Sequence, residues 1–372
     1  MKLCVDLRYA SDKFPGIGRM VTALAQEFAQ HPQIEQLDLL INPRNNNTHL
    51  TIPAVNPKVH HHLLNASPFS LTEAWQMRRI IATTHADWFY TPYLRIPMVP
   101  IPCKLLVTIH DVIPLTTPAS WWVQIGLRGA LTLVALRANA ITSVSAHAAQ
   151  QVSAQLWPQR TVHAITNGVA AQFFTSNNNT HQLPATITGP FCLCVSSNQA
   201  HKNLATLVAA WADAYMSGAI PAQSQLVLVG QFSDRRPQPW RDARYQQLPI
   251  VAITAPDDAL LVALYQHATL FVLPSLAEGF GLPLVEALAS RVPIICHPHP
   301  AIRAVVGDAA VLCDMHDPVQ LAQYIASLWD DKPRQQQLRD AGSQRAQQFD
   351  WRTAADAGAF AFAPVAACGT PP

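Results

Sequence analysis

The chain is short of charge. Lys, Arg, Asp and Glu make up 13% of its 372 residues, about half the usual share, and the net charge is +2. No basic footprint of the kind a nucleic acid requires is left by that balance, and no basic run carries interleaved aromatics, so nucleic acid is not an expected partner. Long apolar runs are lacking too. The nearest, Trp121 to Ala138, is interrupted by Arg128 and Arg137 and reads as a buried or surface helix, short of the roughly 18 or more apolar residues a membrane span needs. Met1 to Asp6 is not read as a signal peptide, because Asp6 cuts the apolar segment short. Seven cysteines show no metal-ligand spacing. Cys192 and Cys194 alternate within an apolar run, which points both to one face of a strand, as buried reduced thiols of a cytoplasmic protein. Asp-x-Asp is absent from the sequence, so no carboxylate pair suggests a metal clamp on a diphosphate.

What is present suits two α/β cores. Hydrophobic residues make up 49%, and the length fits two domains of ordinary size. In the first half, apolar runs at Leu3–Leu7, Gln36–Ile41, Trp88–Tyr90, Lys104–Ile109 and Ala140–Val144 alternate with helical periodicity at Arg19–Ala29, Thr72–Thr83 and Trp121–Ala138. The second half repeats the scheme. Its strand candidates are Phe191–Val195, Gln225–Val229, Ile250–Ile253, Leu270–Leu273, Pro293–Cys296 and Ala310–Cys313. Its helix candidates are Asn203–Tyr215, Pro256–His267, Pro283–Ser290, Pro318–Asp330 and Lys332–Gln348. Such alternation predicts parallel sheets covered by helices on both faces. The expected division is residues 1–175, residues 176–349, and an atypical tail from 350 to 372, where the periodicity fades into Ala, Gly and Pro.

The most informative segment runs from Glu278 to Glu286, Glu-Gly-Phe-Gly-Leu-Pro-Leu-Val-Glu. It follows the apolar run Leu270–Leu273, so its order is strand, loop, glycine turn, helix start. Pro283 suits the first turn of a helix. A helix start offers unpaired N–H groups and a positive dipole end to an anion. Glu278 falls in the loop and Glu286 one turn into the helix, where each can bind hydroxyls on either side of a phosphate. A nucleotide sugar has that anatomy. Upstream, Lys202 follows a strand and precedes a helix, at the edge where a doubly wound sheet binds ligands. Its charge is disfavoured near a helix start unless an anion is bound there.

Further segments carry a resemblance, in order, from about Leu3 to Trp351. They are Gly16-Ile17-Gly18-Arg19, His110-Asp111-Val112-Ile113-Pro114, Val144-Ser145, Thr166-Asn167-Gly168-Val169, His201-Lys202-Asn203-Leu204, the Glu278–Glu286 segment and Val306-Gly307-Asp308-Ala309-Ala310. Together they resemble the retaining glycosyltransferases of family 4, and the bacterial mannosyltransferases of O-antigen and surface-polysaccharide synthesis within it. The resemblance implies a GT-B architecture, two facing Rossmann-like domains with a central cleft. The acceptor would bind on the N-terminal side and the nucleotide-sugar donor on the C-terminal side.

It also implies roles. Lys202, Glu278 and His110 would be catalytic: Lys202 neutralising the leaving diphosphate, Glu278 reading the transferred sugar's hydroxyls, His110 near the reacting sugar. Gly16, Gly18, His201, Gly279, Phe280, Gly281 and Glu286 would bind substrate, with Glu286 on the ribose diol and both glycines of the 16–18 segment in a loop from Ser11 to Gly18. Asp111 would orient His110 or cap the next turn. No metal or other cofactor is expected. The best expectation for the reaction is mannose transfer from GDP-mannose to a glycan acceptor, lipid-linked and met at the inner face of the membrane, with Trp121-Trp122 resting on its surface. Alternatives are transfer of glucose or galactose, an inactive paralogue, and a bilobal sugar-binding protein. Two departures stand out: His201 where the family commonly has arginine, and Arg303-Ala304 where it often has Pro-Glu.

Overall fold

Continuous apolar runs and amphipathic helices alternate along the chain, and the computed structural model turns them into two α/β units. It describes residues 1–8, 10, 15–43, 56–66, 70–117, 120–174 and 182–362. One unit is Met1–Gly168 together with the chain from Asp350, and the other is Val169–Phe349.

In the first unit the strands are β1 (Lys2–Asp6), β2 (Gln36–Ile41), β3 (Val59–Leu63), β4 (Trp88–Thr91), β5 (Lys104–Ile109), β6 (Ala140–Ser143) and β7 (His163–Ala164). They form one sheet in the order β3-β2-β1-β4-β5-β6-β7, with parallel pairing throughout the described residues. Helices α1 (Pro15–Gln30), α2 (Leu71–Thr84), α3 (Ile113–Thr116), α4 (Trp121–Arg137) and α5 (Ala146–Gln155) make the crossovers. Caps set their starts: Ser70 accepts from the Glu73 N–H at 3.0 Å and Ser145 from the Ala148 N–H at 3.0 Å, each satisfying an orphan donor of the first turn.

The second unit holds strands β8 (Phe191–Val195), β9 (Gln225–Gly230), β10 (Ile250–Thr254), β11 (Leu270–Leu273), β12 (Ile294–Cys296) and β13 (Val311–Leu312). Their order is β10-β9-β8-β11-β12-β13, again parallel. The strands alternate with α6 (Leu204–Met216), α7 (Asp258–His267), α8 (Leu282–Ala289), α9 (Pro300–Val306), α10 (Pro318–Asp330) and α11 (Lys332–Ala346). Cys192 and Cys194 lie together in its core with Trp211, Leu226, Val272 and Ile295. Burial pushes both thiols far above their ordinary range, so they pack as apolar groups.

Two boundaries differ from the sequence reading. The change of unit falls between Gly168 and Val169, ahead of the expected residue 175. The segment expected as a separate tail is helical, as α12 (Trp351–Phe362), and joins the first unit. Aromatic packing explains why: the Phe362 ring lies edge-on to Phe28 at 5.9 Å, Trp88 at 5.5 Å and Tyr90 at 6.5 Å, a geometry favoured by ring quadrupoles. Small residues, Ala354, Ala355 and Ala359, are buried along the same helix, so its Ala-rich composition is a packing face. Residues 363–372 of that expected tail lie outside the described residues. Gly168 sits where the chain leaves and returns. A Cβ there would stand 2.4 Å from the Trp351 nitrogen and 2.7 Å from the Asp350 carbonyl carbon, so only glycine lets the two passes of backbone come this close.

Candidate functional site

In the second unit β8 is the first strand, and the sheet grows from it in both directions. The chain leaves the carboxyl ends of β8 and β11 side by side, at the switch point where doubly wound sheets bind ligands. A backbone bond ties the two loops, the Leu276 N–H donating to the His201 carbonyl at 2.8 Å. It places Lys202 against Glu278: the ammonium Nζ donates to Oε1 at 2.7 Å and to Oε2 at 2.8 Å. The Lys202 side chain is 19% exposed and that of Glu278 only 9%, so the pair is mostly shielded from water and its attraction is stronger than at an open surface. An ammonium has three donors and a carboxylate about four acceptor positions. The pair therefore keeps donor and acceptor capacity for a ligand.

The β9 end is drawn in by Asn198. Its Oδ1 accepts from the Ser233 N–H at 2.8 Å, and its Nδ2 donates to the Ser233 carbonyl at 2.8 Å. Beyond β11, Ser275 is fully buried and its Oγ has no hydrogen-bond partner among the described residues. Gly281 caps α8 in the left-handed region at φ 97°, which aims the first turn, with Pro283 in it, back at the loop. Glu286 lies one turn on, 4% exposed, and its Oε2 accepts from the Tyr265 hydroxyl at 2.9 Å. A buried carboxylate held this way has a fixed direction. The arrangement offers a cation, a helix start and two carboxylates around one strand end, which is the equipment for holding an anion flanked by hydroxyl-bearing groups.

A family model described as glycosyl transferases group 1 matches residues 176–345, within this unit. The second unit carries a group 1 glycosyl transferase domain. Curated relatives include O-antigen chain mannosyltransferase B of Escherichia coli, 36% identical over 94 residues, 25% of this chain and 25% of that protein. The serotype-specific mannosyltransferase WbdA of E. coli is 24% identical over an alignment covering 95% of this chain and 47% of WbdA. The chain thus spans about half or less of these relatives' length. Among solved structures, a sucrose-phosphate synthase from Thermosynechococcus elongatus superposes with a TM-score of 0.76 at 19% identity, covering 97% of this chain and 98% of that one. HepE from Anabaena, solved with UDP and glucose, gives 0.73 at 18% identity, covering 96% and 98%. The fold is GT-B.

The structure gathers Lys202, His201, Glu278, Gly279, Gly281 and Glu286 at the strand ends of the glycosyl transferase domain. Phe280 is otherwise placed. Its side chain is 4% exposed and its ring meets Phe349 edge-on at 5.8 Å. An aromatic between two glycines packs its ring inward there, so a substrate contact at this position would be made through the backbone.

Gly16, Gly18 and His110 belong to the first unit. Helix α1 begins at Pro15, so both glycines lie in its first turn and not in a loop. A proline whose missing N–H costs nothing at that position explains the early start. Residues 11–14 of the expected loop lie outside the described residues. His110 follows β5, and its Nε2 donates to the Pro92 carbonyl at 2.8 Å. Burial, above all, holds its pKa below the ordinary value, against the opposing pull of that carbonyl and of Asp111. Asp111 caps the next turn, its Oδ1 accepting from the Ile113 N–H at 3.0 Å.

Sequence reasoning missed an ionic cluster at the carboxyl end of β1. Arg8 forks onto both oxygens of Asp6 at 2.8 and 2.7 Å and reaches Glu73 at 2.6 Å. Arg95 pairs with the second oxygen of Glu73. Asp6 and Arg8 are buried. The available signal was two opposite charges closing an apolar strand, which rarely bury unless paired. Tyr265 was missed because a tyrosine in an apolar helix reads as core until its hydroxyl's partner is known.

Proposed function

We propose that this chain is a retaining glycosyltransferase that takes a sugar from a nucleotide-sugar donor, mannose from GDP-mannose in the first instance, and passes it to a glycan acceptor in surface-polysaccharide synthesis. The observation that carries the reading is the Lys202–Glu278 pair beside the α8 start, with Glu286 fixed one turn in. The donor's diphosphate would lie on the α8 N–H groups and the Lys202 ammonium, and its ribose diol on Glu286. Glu278 would hold the sugar's hydroxyls with the oxygen capacity left by Lys202. The first unit would take the acceptor, a lipid-linked glycan.

In the reaction the bond from the anomeric carbon to the diphosphate oxygen breaks. The acceptor hydroxyl attacks the same face of the sugar, and the departing phosphate oxygen takes its proton. Lys202 offsets the charge that grows on the leaving group, an interaction stronger in the transition state than in the ground state. No ion bridges the diphosphate in this scheme. The presence of Lys202 beside Glu278 also favours transfer over simple sugar binding, which has no leaving group to neutralise.

The test is donor hydrolysis and thermal shift across a panel of nucleotide sugars in excess EDTA, with Glu286→Ala as control. Stabilisation and turnover with one donor, both lost in the variant, are expected. A folded protein that answers to no donor would overturn the reading and favour an inactive paralogue.

A further inference from the structure

One strand over from β11 at the same edge of the second sheet, two imidazoles meet one carboxylate. His297 leaves the carboxyl end of β12, and Asp314 and His316 lie on the loop from β13 to α10. One ligand atom from each lies within 4.8 Å of the others. His316 Nδ1 is 2.8 Å from Asp314 Oδ1, and His297 Nδ1 is 3.9 Å from the same oxygen. Donor atoms around a tetrahedral ion with bonds of about 2.0–2.1 Å stand about 3.3 Å apart. The two observed separations straddle that value, so closing on an ion needs only small side-chain movements.

The loop is held in place for it. Met315, between the two loop ligands, is fully buried in the core of the unit. Its carbonyl accepts from Asn203 Nδ2 at 2.6 Å, and its N–H points at His297 Nδ1 at 3.3 Å. Gln320 Oε1 accepts from the Asp314 N–H at 3.2 Å, and the Cys313 N–H pairs with the Cys296 carbonyl at 3.0 Å. A surface His-Asp pair two residues apart would need none of this. His297 comes from a different strand, is only 16% exposed, and meets the His316 ring edge-on at 5.5 Å. His297 Nδ1 accepts from the Met315 N–H at 3.3 Å and His316 Nδ1 donates to Asp314 Oδ1 at 2.8 Å, so a bound ion takes the place of these two hydrogen bonds.

We propose that His297, Asp314 and His316 bind a divalent transition-metal ion, zinc in the first instance. Two imidazole nitrogens and one carboxylate oxygen suit zinc, nickel, cobalt or copper, whereas magnesium and calcium select oxygen. Both rings bind through Nδ1 with the proton on Nε2, and water completes the coordination. The ion ties the end of β12 to the loop beyond β13, a strand of two residues at the sheet edge. No step of sugar transfer passes through it, and the proposal stands without the donor reading.

The test is titration of the full chain, stripped with EDTA and dialysed, with Zn²⁺ followed by calorimetry and thermal unfolding, and with Co²⁺ followed by its visible spectrum. The expected result is one equivalent per chain, a raised Tm, and a cobalt spectrum of nitrogen and oxygen ligands without thiolate charge-transfer bands. Affinity should fall at least about tenfold in His316→Gln and in His297→Gln, since even residues that only support a ligand cost that much. His316 is exposed, so its variant tests the site even if His297→Gln disturbs folding. Binding unchanged in His316→Gln, thiolate bands, or no saturable binding would overturn the proposal.

Discussion

Lys202 stands where a helix start alone would repel its charge, and Glu278 holds it there through both oxygens. The same charge is the one positioned to meet a leaving diphosphate. In Lys202→Ala, kcat for donor turnover is expected to fall about 10²–10³-fold, the cost of losing one preorganised stabiliser of developing charge. Lys202→Arg keeps the charge and should lose less. Equal losses in the two variants would point to geometry in place of charge. Glu286 makes a separable contribution. Glu286→Gln keeps the shape but not the charge, and nucleotide affinity by calorimetry should weaken about 10–100-fold, as for a lost charge-assisted hydrogen bond. His110 carries a pH signature. Its folded pKa lies below the ordinary 6.5, so the unfolded chain takes up the proton first as pH falls. Its contribution to stability is complete above 6.5 and declines as pH drops through that value toward the folded pKa. Denaturant titrations at pH 7, 6 and 5 should show a smaller decline for His110→Asn than for the parent chain.

Helix α8 shows how one backbone position governs an element. Gly281 holds a left-handed φ, and a Cβ there would meet Leu284 Cδ1 at 3.0 Å. Gly281→Ala should cost about 1–2 kcal/mol from the backbone alone. It should also weaken nucleotide binding by turning the helix start, which denaturation and calorimetry would report together. That turn was legible in sequence because glycine, proline and carboxylates stand at fixed spacing across a strand-to-helix junction. The central strands were legible for a related reason: β2, β5, β8 and β11 are buried for most of their length, so their sequences are apolar runs. Edge strands gave less. β3 reads Val-His-His-His-Leu and is largely open to water, so neither burial nor alternation marks it. Helix α9 is short and starts with Pro300 after His299, which reads as a turn. In the site, Lys202, Glu278 and Glu286 could be found from local spacing. The Asp6–Arg8–Glu73–Arg95 cluster could not, because its members are joined only by the fold.

For the whole molecule, the deciding fact is that the first unit is completed by α12, which follows the second unit in sequence. A chain ending at Phe349 would leave Phe28, Trp88 and Tyr90 without the Phe362 ring. Limited proteolysis of that truncated chain should cut within residues 1–168 while sparing 182–349. Equal resistance of both units would show that α12 is dispensable. Among the described residues no helix is long and apolar enough to cross a membrane, and Trp121 and Trp122 are exposed on α4.

The interrupted first unit also sets an order of events during synthesis. All of residues 169–349 must leave the ribosome before α12 can exist, which at about 5–20 residues per second takes on the order of 10–40 s. For that interval the first sheet waits with its aromatic face unsealed, and the later unit has its last strand, β13, before α12 is made. The part of the chain made first is the part finished last, and a nascent-chain chaperone would find its work there.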